Sequence, residues 1–143
     1  FIKLNDLTYK PLVSKLQEAA SKGVIIELCV RRVVTIYTQP NLTVYRYLGP
    51  LLEHSRIIYF LVEGSEPDIY IGSGNMNAAN FRRRYEVYVP IYEERLKHRM
   101  MHIVNTYRNT QFSRIVVNGL DDSQITEGLP IHTWMLDNYK DFR

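Results

Sequence analysis

His54 is the residue of this sequence best suited to catalysis. It lies in the stretch LLEHSR at positions 51–56, two places before Arg56. Side chains at i and i+2 of an extended segment point to the same face, so imidazole and guanidinium are expected side by side. A neutral imidazole can attack phosphorus or transfer a proton near neutral pH, and a guanidinium can hold phosphoryl oxygens. The alternative is a histidine at a strand edge beside a surface arginine, and this local pattern alone favours it.

A second candidate is the stretch IGSGN at positions 71–75. A strand that runs into this sequence would place backbone N–H groups and the amide of Asn75 around a small anion. The two glycines would allow close approach of the backbone. The alternative, a plain turn, explains the motif equally well.

Three further residues could bind phosphate. Arg84 and Glu86 would share one face of a predicted strand, where they could bind phosphate or a metal, or pair with each other. Arg31 follows a predicted apolar strand, and ligand sites of α/β sheets collect at the carboxyl ends of strands. The alternative for Arg31 is a charge that merely ends that strand.

The other histidines point to no metal site. His98 and His102 are spaced i, i+4 on a predicted helix, which is a possible metal-ligand geometry. No third ligand is evident, and the glutamate of the zinc-protease pattern does not follow. A solvated helix face is therefore predicted.

The elements that must position these residues follow an α/β order. A helix is predicted at Lys10–Lys22, with Pro11 in its first turn and Gly23 ending it in the left-handed conformation. The continuous apolar run Val24–Val30 predicts a strand covered on both faces. Further strands are predicted at Leu42–Leu48, Arg56–Val62, Asp68–Ser73, Arg84–Pro90 and Arg114–Val117, a loop at Gly74–Asn80 and a long helix at Tyr92–Asn109.

Composition is that of an ordinary globular domain. The chain has 143 residues, of which 45% are hydrophobic and 23% charged, and no apolar run is long enough to cross a membrane. The net charge is +3, with arginines clustered at 31–32 and 82–84; such clusters suit phosphates, although a solvated surface is the commoner explanation. A lone Cys29 weakly favours a reducing, cytoplasmic setting. Because the chain starts at Phe1, we expect a piece of a longer protein.

The order of four stretches resembles the C-terminal catalytic domain of the polyphosphate kinase 1 family. They are IKLNDL at 2–7, VR at 30–31, LEHSRI at 52–57 and RYEV at 84–87, and their order and spacing make chance similarity improbable. The resemblance runs from about Ile2 to Asn118. It implies an α/β fold with a phospholipase-D-like mixed β-sheet flanked by helices over residues 1–118, and a C-terminal extension, 119–143, that packs on it.

The resemblance implies a reversible transfer of the terminal phosphate of ATP to inorganic polyphosphate. A histidine in an upstream domain of the same chain would become phosphorylated, and Mg²⁺ would accompany ATP. His54 would assist as an acid/base or phosphate-orienting group. The implied partners are ATP or ADP, polyphosphate, the upstream domains and further copies of the chain, with no nucleic acid. The implied location is the cytoplasm, or the inner membrane as a peripheral protein.

The resemblance also implies roles for five binding residues. Arg31 matches an arginine that contacts nucleotide phosphates, and Glu86 matches a carboxylate near the nucleotide and its metal. Arg56 and Arg84 resemble neighbouring basic groups of the same site. Asn75 lies in a loop similar to the glycine-asparagine loop of phospholipase-D-like domains.

Two other functions remain open. The first is a phosphodiesterase of the phospholipase D or nuclease type, although the lysine usual two residues after the histidine is here Arg56. The second is a non-catalytic domain that binds polyanions or takes part in assembly. Under the kinase hypothesis, the chain by itself is predicted to bind phosphate chains weakly and not to turn over.

Overall fold

The computed structural model describes residues 1–47, 51, 53–109, 112–117, 131–138 and 140. The strands are β1 (Ile2–Leu7), β2 (Ile26–Val34), β3 (Leu42–Tyr47), β4 (Arg56–Phe60), β5 (Asp68–Gly72), β6 (Tyr88–Pro90) and β7 (Ser113–Ile115). The helices are α1 (Lys10–Ser21), α2 (Ala78–Arg82), α3 (Glu94–Arg108) and α4 (Ile131–Asp137).

The described strands form one mixed sheet in the order β6-β5-β4-β1-β2-β3-β7. The three central strands β1, β2 and β3 run parallel, and the outer strands pair antiparallel. Lys3 of β1 lies between Cys29 of β2 and Ile57 of β4. The predicted α/β architecture, a mixed β-sheet flanked by helices, is confirmed.

Both faces of the central strands are covered, as the apolar run in β2 predicts. Leu28 and Val30 join the core under α1, whereas Cys29 between them joins the core under α3 and α4. All three residues are fully buried. Gly23 ends the first helix region with φ of 94°, the left-handed conformation that glycine adopts without a steric penalty.

Several predicted boundaries are wrong. The second strand begins at Ile26 and continues to Val34, so Arg31 lies inside it and does not follow it. The strand predicted at Arg84–Pro90 is shortened to β6, and residues 84–87 are not part of it. No element was predicted at Ile2–Leu7, where the central strand β1 lies. Leu48 falls outside the described residues, as does most of the region 119–143.

The topology brings three chain segments to one edge of the sheet. Strand β1 ends at that edge with Leu7, and the antiparallel strand β4 begins there with Arg56. Strand β5 ends at the same edge, where Gly72 pairs with Arg56. The loop that follows β5 then crosses to β1, since the N–H of Met76 donates to the carbonyl of Asp6. Candidate residues that are distant in sequence are thereby gathered at this edge.

Candidate active site

His54 and Arg56 are in direct contact at the start of β4. A guanidinium nitrogen of Arg56, Nη1, lies 3.1 Å from Nδ1 of His54 and also donates to the backbone carbonyl of His54. The imidazole is exposed, whereas Arg56 is 8% exposed. The predicted side-by-side placement is therefore present, although His54 precedes the strand.

The amide of Asn75 connects this pair to β1. Its Oδ1 accepts hydrogen bonds from Nε of Arg56, at 3.3 Å, and from the backbone N–H of Asn5, at 3.1 Å. Its Nδ2 donates to the carboxylate of Asp6 at 3.4 Å. Asn75 thus orients the guanidinium with one end of its amide while the other end is held by β1.

Glu86 lies on the opposite side of the loop. Its carboxylate accepts hydrogen bonds from the hydroxyl of Ser73 and the amide of Asn80. The hydrogen bond from Ser73, followed by that from Asn80 and the charges of Arg84 and Arg56, lowers the pKa of Glu86. Arg84 is exposed in the segment before β6, and its charge acts on this carboxylate.

Two backbone N–H groups of the loop after β5 are already bonded to neighbouring segments. The N–H of Ser73 donates to the carbonyl of Val87 at 3.0 Å, and that of Met76 donates to Asp6. A Cβ on Gly72 would lie 2.3 Å from the ring of Tyr88. Gly72 therefore permits a close approach between strands β5 and β6. The loop also contributes the amide of Asn75, which orients Arg56.

Arg31 lies across β1 from the His54–Arg56 pair. It is half-buried within β2, and its charge acts on Tyr47 and His132, which belong to the α3 and α4 side of the sheet. The structure thus brings His54, Arg56 and Asn75 into direct contact. The charges of Arg56 and Arg84 act on Glu86 beside them, whereas Arg31 lies in β2, separated from β4 by β1.

A cavity of about 250 Å³ opens beside the loop. Its lining combines polar groups of the candidate site with apolar side chains: Ile58, Gly74, Asn75, Met76, Asn80, Phe81, Glu86 and Tyr88. A second, larger cavity of about 510 Å³ lies under α3 and is almost wholly apolar, although Ser55 and Arg56 reach it. Both linings are mostly apolar, so neither cavity by itself indicates a charged ligand.

A buried ion pair behind His54 was not predicted from the sequence. Lys3 is completely buried, and its Nζ lies 3.3 Å from the carboxylate of Glu53. Glu53 also accepts hydrogen bonds from the hydroxyl of Tyr107, at 2.7 Å, and from Ser55. A lysine between apolar residues in IKLNDL is the signal that could have revealed it, once that stretch is assigned to a central strand.

The environment of Glu53 strongly favours its ionised form. Burial would raise the pKa of Glu53, but the charge of Lys3 and the hydrogen bonds from Ser55 and Tyr107 outweigh it and hold the pKa at about 2. Burial also lowers the pKa of Lys3, and the charge of Glu53 partly offsets that effect. Glu53 is therefore ionised at neutral pH, and its carboxylate lies against the buried Nζ of Lys3.

Acid is expected to destabilise the fold through Glu53. Its pKa is depressed from 4.5 to about 2, so its stabilising contribution is complete above about pH 4.5 and is lost as the pH falls toward 2. The shift corresponds to roughly 3 kcal/mol in the free energy of unfolding. Denaturant unfolding from pH 6 to pH 2 measures it; Glu53→Gln should show a shallower fall, and an unchanged slope would contradict the assignment.

The described residues contain no cluster of three or more His, Cys, Asp or Glu side chains that could hold a metal ion. His98 and His102 both lie on exposed positions of α3. Within the part of the chain that the structure describes, no helix combines the length and apolarity needed to span a membrane.

Comparison with known proteins identifies relatives of this chain. The family model "Polyphosphate kinase C-terminal domain 2" matches residues 1–129. The polyphosphate kinase of Lactiplantibacillus plantarum is 38% identical over 121 residues, covering 80% of this chain and 17% of that protein. The polyphosphate kinase of Prochlorococcus marinus is 36% identical over 112 residues, covering 75% of this chain and 16% of that protein.

The fold has a counterpart among solved structures. The crystal structure of polyphosphate kinase from Porphyromonas gingivalis aligns with a TM-score of 0.80 at 22% identity, covering 98% of this chain and 23% of that one. This likeness supports the α/β fold with a mixed β-sheet flanked by helices. The chain spans less than a fifth of the length of the two relatives named above.

Proposed function

Because the chain belongs to the family of polyphosphate kinase C-terminal domains, we propose that it serves as the C-terminal catalytic part of a polyphosphate kinase. The reaction is the reversible transfer of the terminal phosphate of ATP to inorganic polyphosphate. The observation that carries this proposal is the contact between the exposed imidazole of His54 and the buried guanidinium of Arg56.

The environment of Arg56 favours an anionic ligand. Among the described residues, its guanidinium bonds to His54 and Asn75 but makes no ion pair with a carboxylate. A buried charge is costly unless an opposite charge or strong hydrogen bonds compensate it. A phosphoryl group beside Arg56 would supply that charge, and the free Nη2 would donate to its oxygens in the planar geometry that suits phosphate.

The same contact defines the protonation of His54. A guanidinium can only donate, so Nδ1 of His54 must accept from Arg56, and the proton of the neutral imidazole resides on Nε2. An Nε2–H that faces solvent can donate a hydrogen bond to a phosphoryl oxygen, whereas protonation of a leaving oxygen requires the imidazolium form. His54 therefore assists transfer as an acid or phosphate-orienting group, and the phosphorylated histidine lies in another domain of the kinase.

The other site residues contribute charge and position. Arg31 and Arg84 supply positive charge for the nucleotide and polyphosphate phosphates, and Asn75 orients Arg56. Phosphoryl transfer depends chiefly on positioning and charge neutralisation, which this set of residues offers. Mg²⁺ enters with ATP as the substrate complex, near the carboxylate of Glu86.

The proposal extends to the setting of the reaction. The upstream domains of the same polypeptide complete the site, and the kinase assembles as a homo-oligomer. ATP or ADP and inorganic polyphosphate are its ligands, with no nucleic acid. It acts in the cytoplasm, free or as a peripheral protein of the inner membrane.

Substrate turnover tests the proposal. A complete polyphosphate kinase that carries this chain is incubated with ATP and Mg²⁺, and polyphosphate is measured. In parallel, hydrolysis of bis(p-nitrophenyl) phosphate is followed as the reaction of a phosphodiesterase. Polyphosphate without diester hydrolysis is the expected result. Diester hydrolysis without polyphosphate would point to the phosphodiesterase, and binding without either reaction would point to a polyanion-binding domain.

The chain alone is expected to bind long-chain polyphosphate weakly, without turnover. Its arginines replace counterions of a dense polyanion, so the affinity should fall steeply as salt rises. Fluorescence titration at increasing NaCl measures this dependence. An affinity that is insensitive to salt, or polyphosphate synthesis by the isolated chain, would contradict the prediction.

A further inference from the structure

Lys3 holds the chain on both sides of His54. Its Nζ lies 3.2 Å from the backbone carbonyl and 2.8 Å from the hydroxyl of Ser55, the residue after His54. It also lies 3.3 Å from the carboxylate of Glu53, the residue before His54. The ammonium is completely buried, so these contacts are protected from exchange with solvent.

Glu53 holds the same short segment through its own hydrogen bonds. Its Oε1 accepts from the backbone N–H of Ser55, at 2.8 Å, and from the Ser55 hydroxyl, at 2.6 Å. Its Oε2 accepts from Tyr107 of α3 at 2.7 Å. The backbone that carries the imidazole is therefore held between β1 and α3.

Aromatic rings define where the Lys3 ammonium can sit. Its Nζ lies 4.5 Å from the ring centre of Tyr107 and 5.0 Å from that of Tyr47. Ring faces attract a cation, and these two rings lie against the ammonium that bonds to residues 53–55. The ammonium of Lys3 is thus placed beside the segment of His54 by Tyr47 of β3 and Tyr107 of α3.

A buried ion pair is a poor way to gain stability, because the cost of removing two charges from water offsets their attraction. What such a pair supplies is a single geometry. The imidazole of His54 is exposed, so its direction depends on its backbone and on Arg56 rather than on packing around the ring. Contacts that fix this backbone therefore also fix the direction of the imidazole.

We propose that Lys3 is a positioning residue for His54, acting through Glu53 and Ser55. The inference rests on the proposed function of His54 in phosphoryl transfer. Lys3 touches no substrate; it holds Nδ1 of His54 against Arg56 and Nε2 toward the reacting phosphoryl group. A displacement of about 1 Å in such a group can reduce a rate about 100-fold.

The test compares Lys3→Met in two backgrounds of a complete polyphosphate kinase that carries this chain. In the wild-type background, kcat is expected to fall about 10- to 100-fold with little change in the KM for ATP. In a His54→Gln background, Lys3→Met should cause no further fall in kcat. An equal fall in both backgrounds would show that Lys3 acts independently of His54 and would overturn the proposal. Lys15→Met, at an exposed surface ion pair, is the matched control.

Stability is separated from positioning by a double variant. Lys3→Met alone leaves Glu53 charged and buried, so the melting temperature should fall. Lys3→Met/Glu53→Gln removes that lone charge and should recover melting temperature without recovering kcat. Recovery of both together would mean that Lys3 has a structural role only.

A spectroscopic readout keeps this inference distinct from the proposed function. ¹⁵N-labelled histidine reports the tautomer of His54, and its signals are assigned by their loss in His54→Gln. The wild type should carry its proton on Nε2, and Lys3→Met should shift the tautomer ratio. If His54→Gln retains full activity, the catalytic role of His54 fails, whereas an unchanged tautomer ratio in Lys3→Met overturns the positioning role whatever the activity.

Discussion

Replacing His54 by glutamine is expected to lower polyphosphate synthesis by about 10²- to 10⁴-fold in a complete kinase that carries this chain. Glutamine can still accept a hydrogen bond from Arg56, but it cannot give or take a proton at neutral pH. Because the imidazole is exposed, the melting temperature should stay close to that of the wild type. The measurement is the initial rate of polyphosphate formation from ATP and Mg²⁺.

The matched control is His98→Gln. His98 is also an exposed histidine, and its Nδ1 contacts the backbone of α3 at Glu94 rather than an arginine. Its replacement should leave the rate unchanged. If the His54 variant were as active as the wild type, the kinase resemblance would record ancestry, and the polyanion-binding function would be favoured.

Arg56→Lys is the second substitution with a large expected effect. The ammonium keeps the positive charge but cannot donate at once to His54 and Asn75 in the directions that the guanidinium uses. Loss of one well-placed donor in a transferring site costs about 10²- to 10³-fold in rate, and we expect a fall of this size in kcat/KM. The tautomer of His54 should also become mixed, since the donor to Nδ1 is displaced.

Arg95→Lys serves as the control for Arg56. Arg95 is exposed at the start of α3, where it pairs with Glu93 at 3.2 Å, and its replacement should affect neither rate nor stability. The melting temperature of Arg56→Lys must be measured alongside, because Arg56 is largely buried. Full activity of a folded Arg56→Lys variant would contradict the role assigned to the guanidinium.

Elements that depend on local pattern were predicted well. The helix near Lys10, the strands β4 and β5, and the long helix α3 follow from periodicity, turn residues and β-propensity within a few positions. The contact between His54 and Arg56 was also predictable, because it depends on two residues of one short segment. These features need no knowledge of the remainder of the chain.

The central strand β1 was missed for a physical reason. Lys3 and Asn5 interrupt its apolar pattern, yet both are buried, and distant segments supply bonds to the side chain of Lys3 and to the backbone of Asn5. The ammonium of Lys3 bonds to Ser55 and lies against the carboxylate of Glu53, and the backbone N–H of Asn5 donates to the side chain of Asn75. A polar residue at such a position signals a strand only when its partner is known.

The sequence by itself supplied candidate side chains for phosphate, which stay predictions, and it determined the approximate elements and the family likeness, which relatives over most of the chain confirm. The tertiary structure alone decided that Asn75 bonds to Arg56, that Arg31 lies within a strand, and that Lys3 bonds to Ser55 and Glu53 on the two sides of His54. The reason is that strand order and register bring together residues far apart in sequence, and no local pattern encodes which of them will meet.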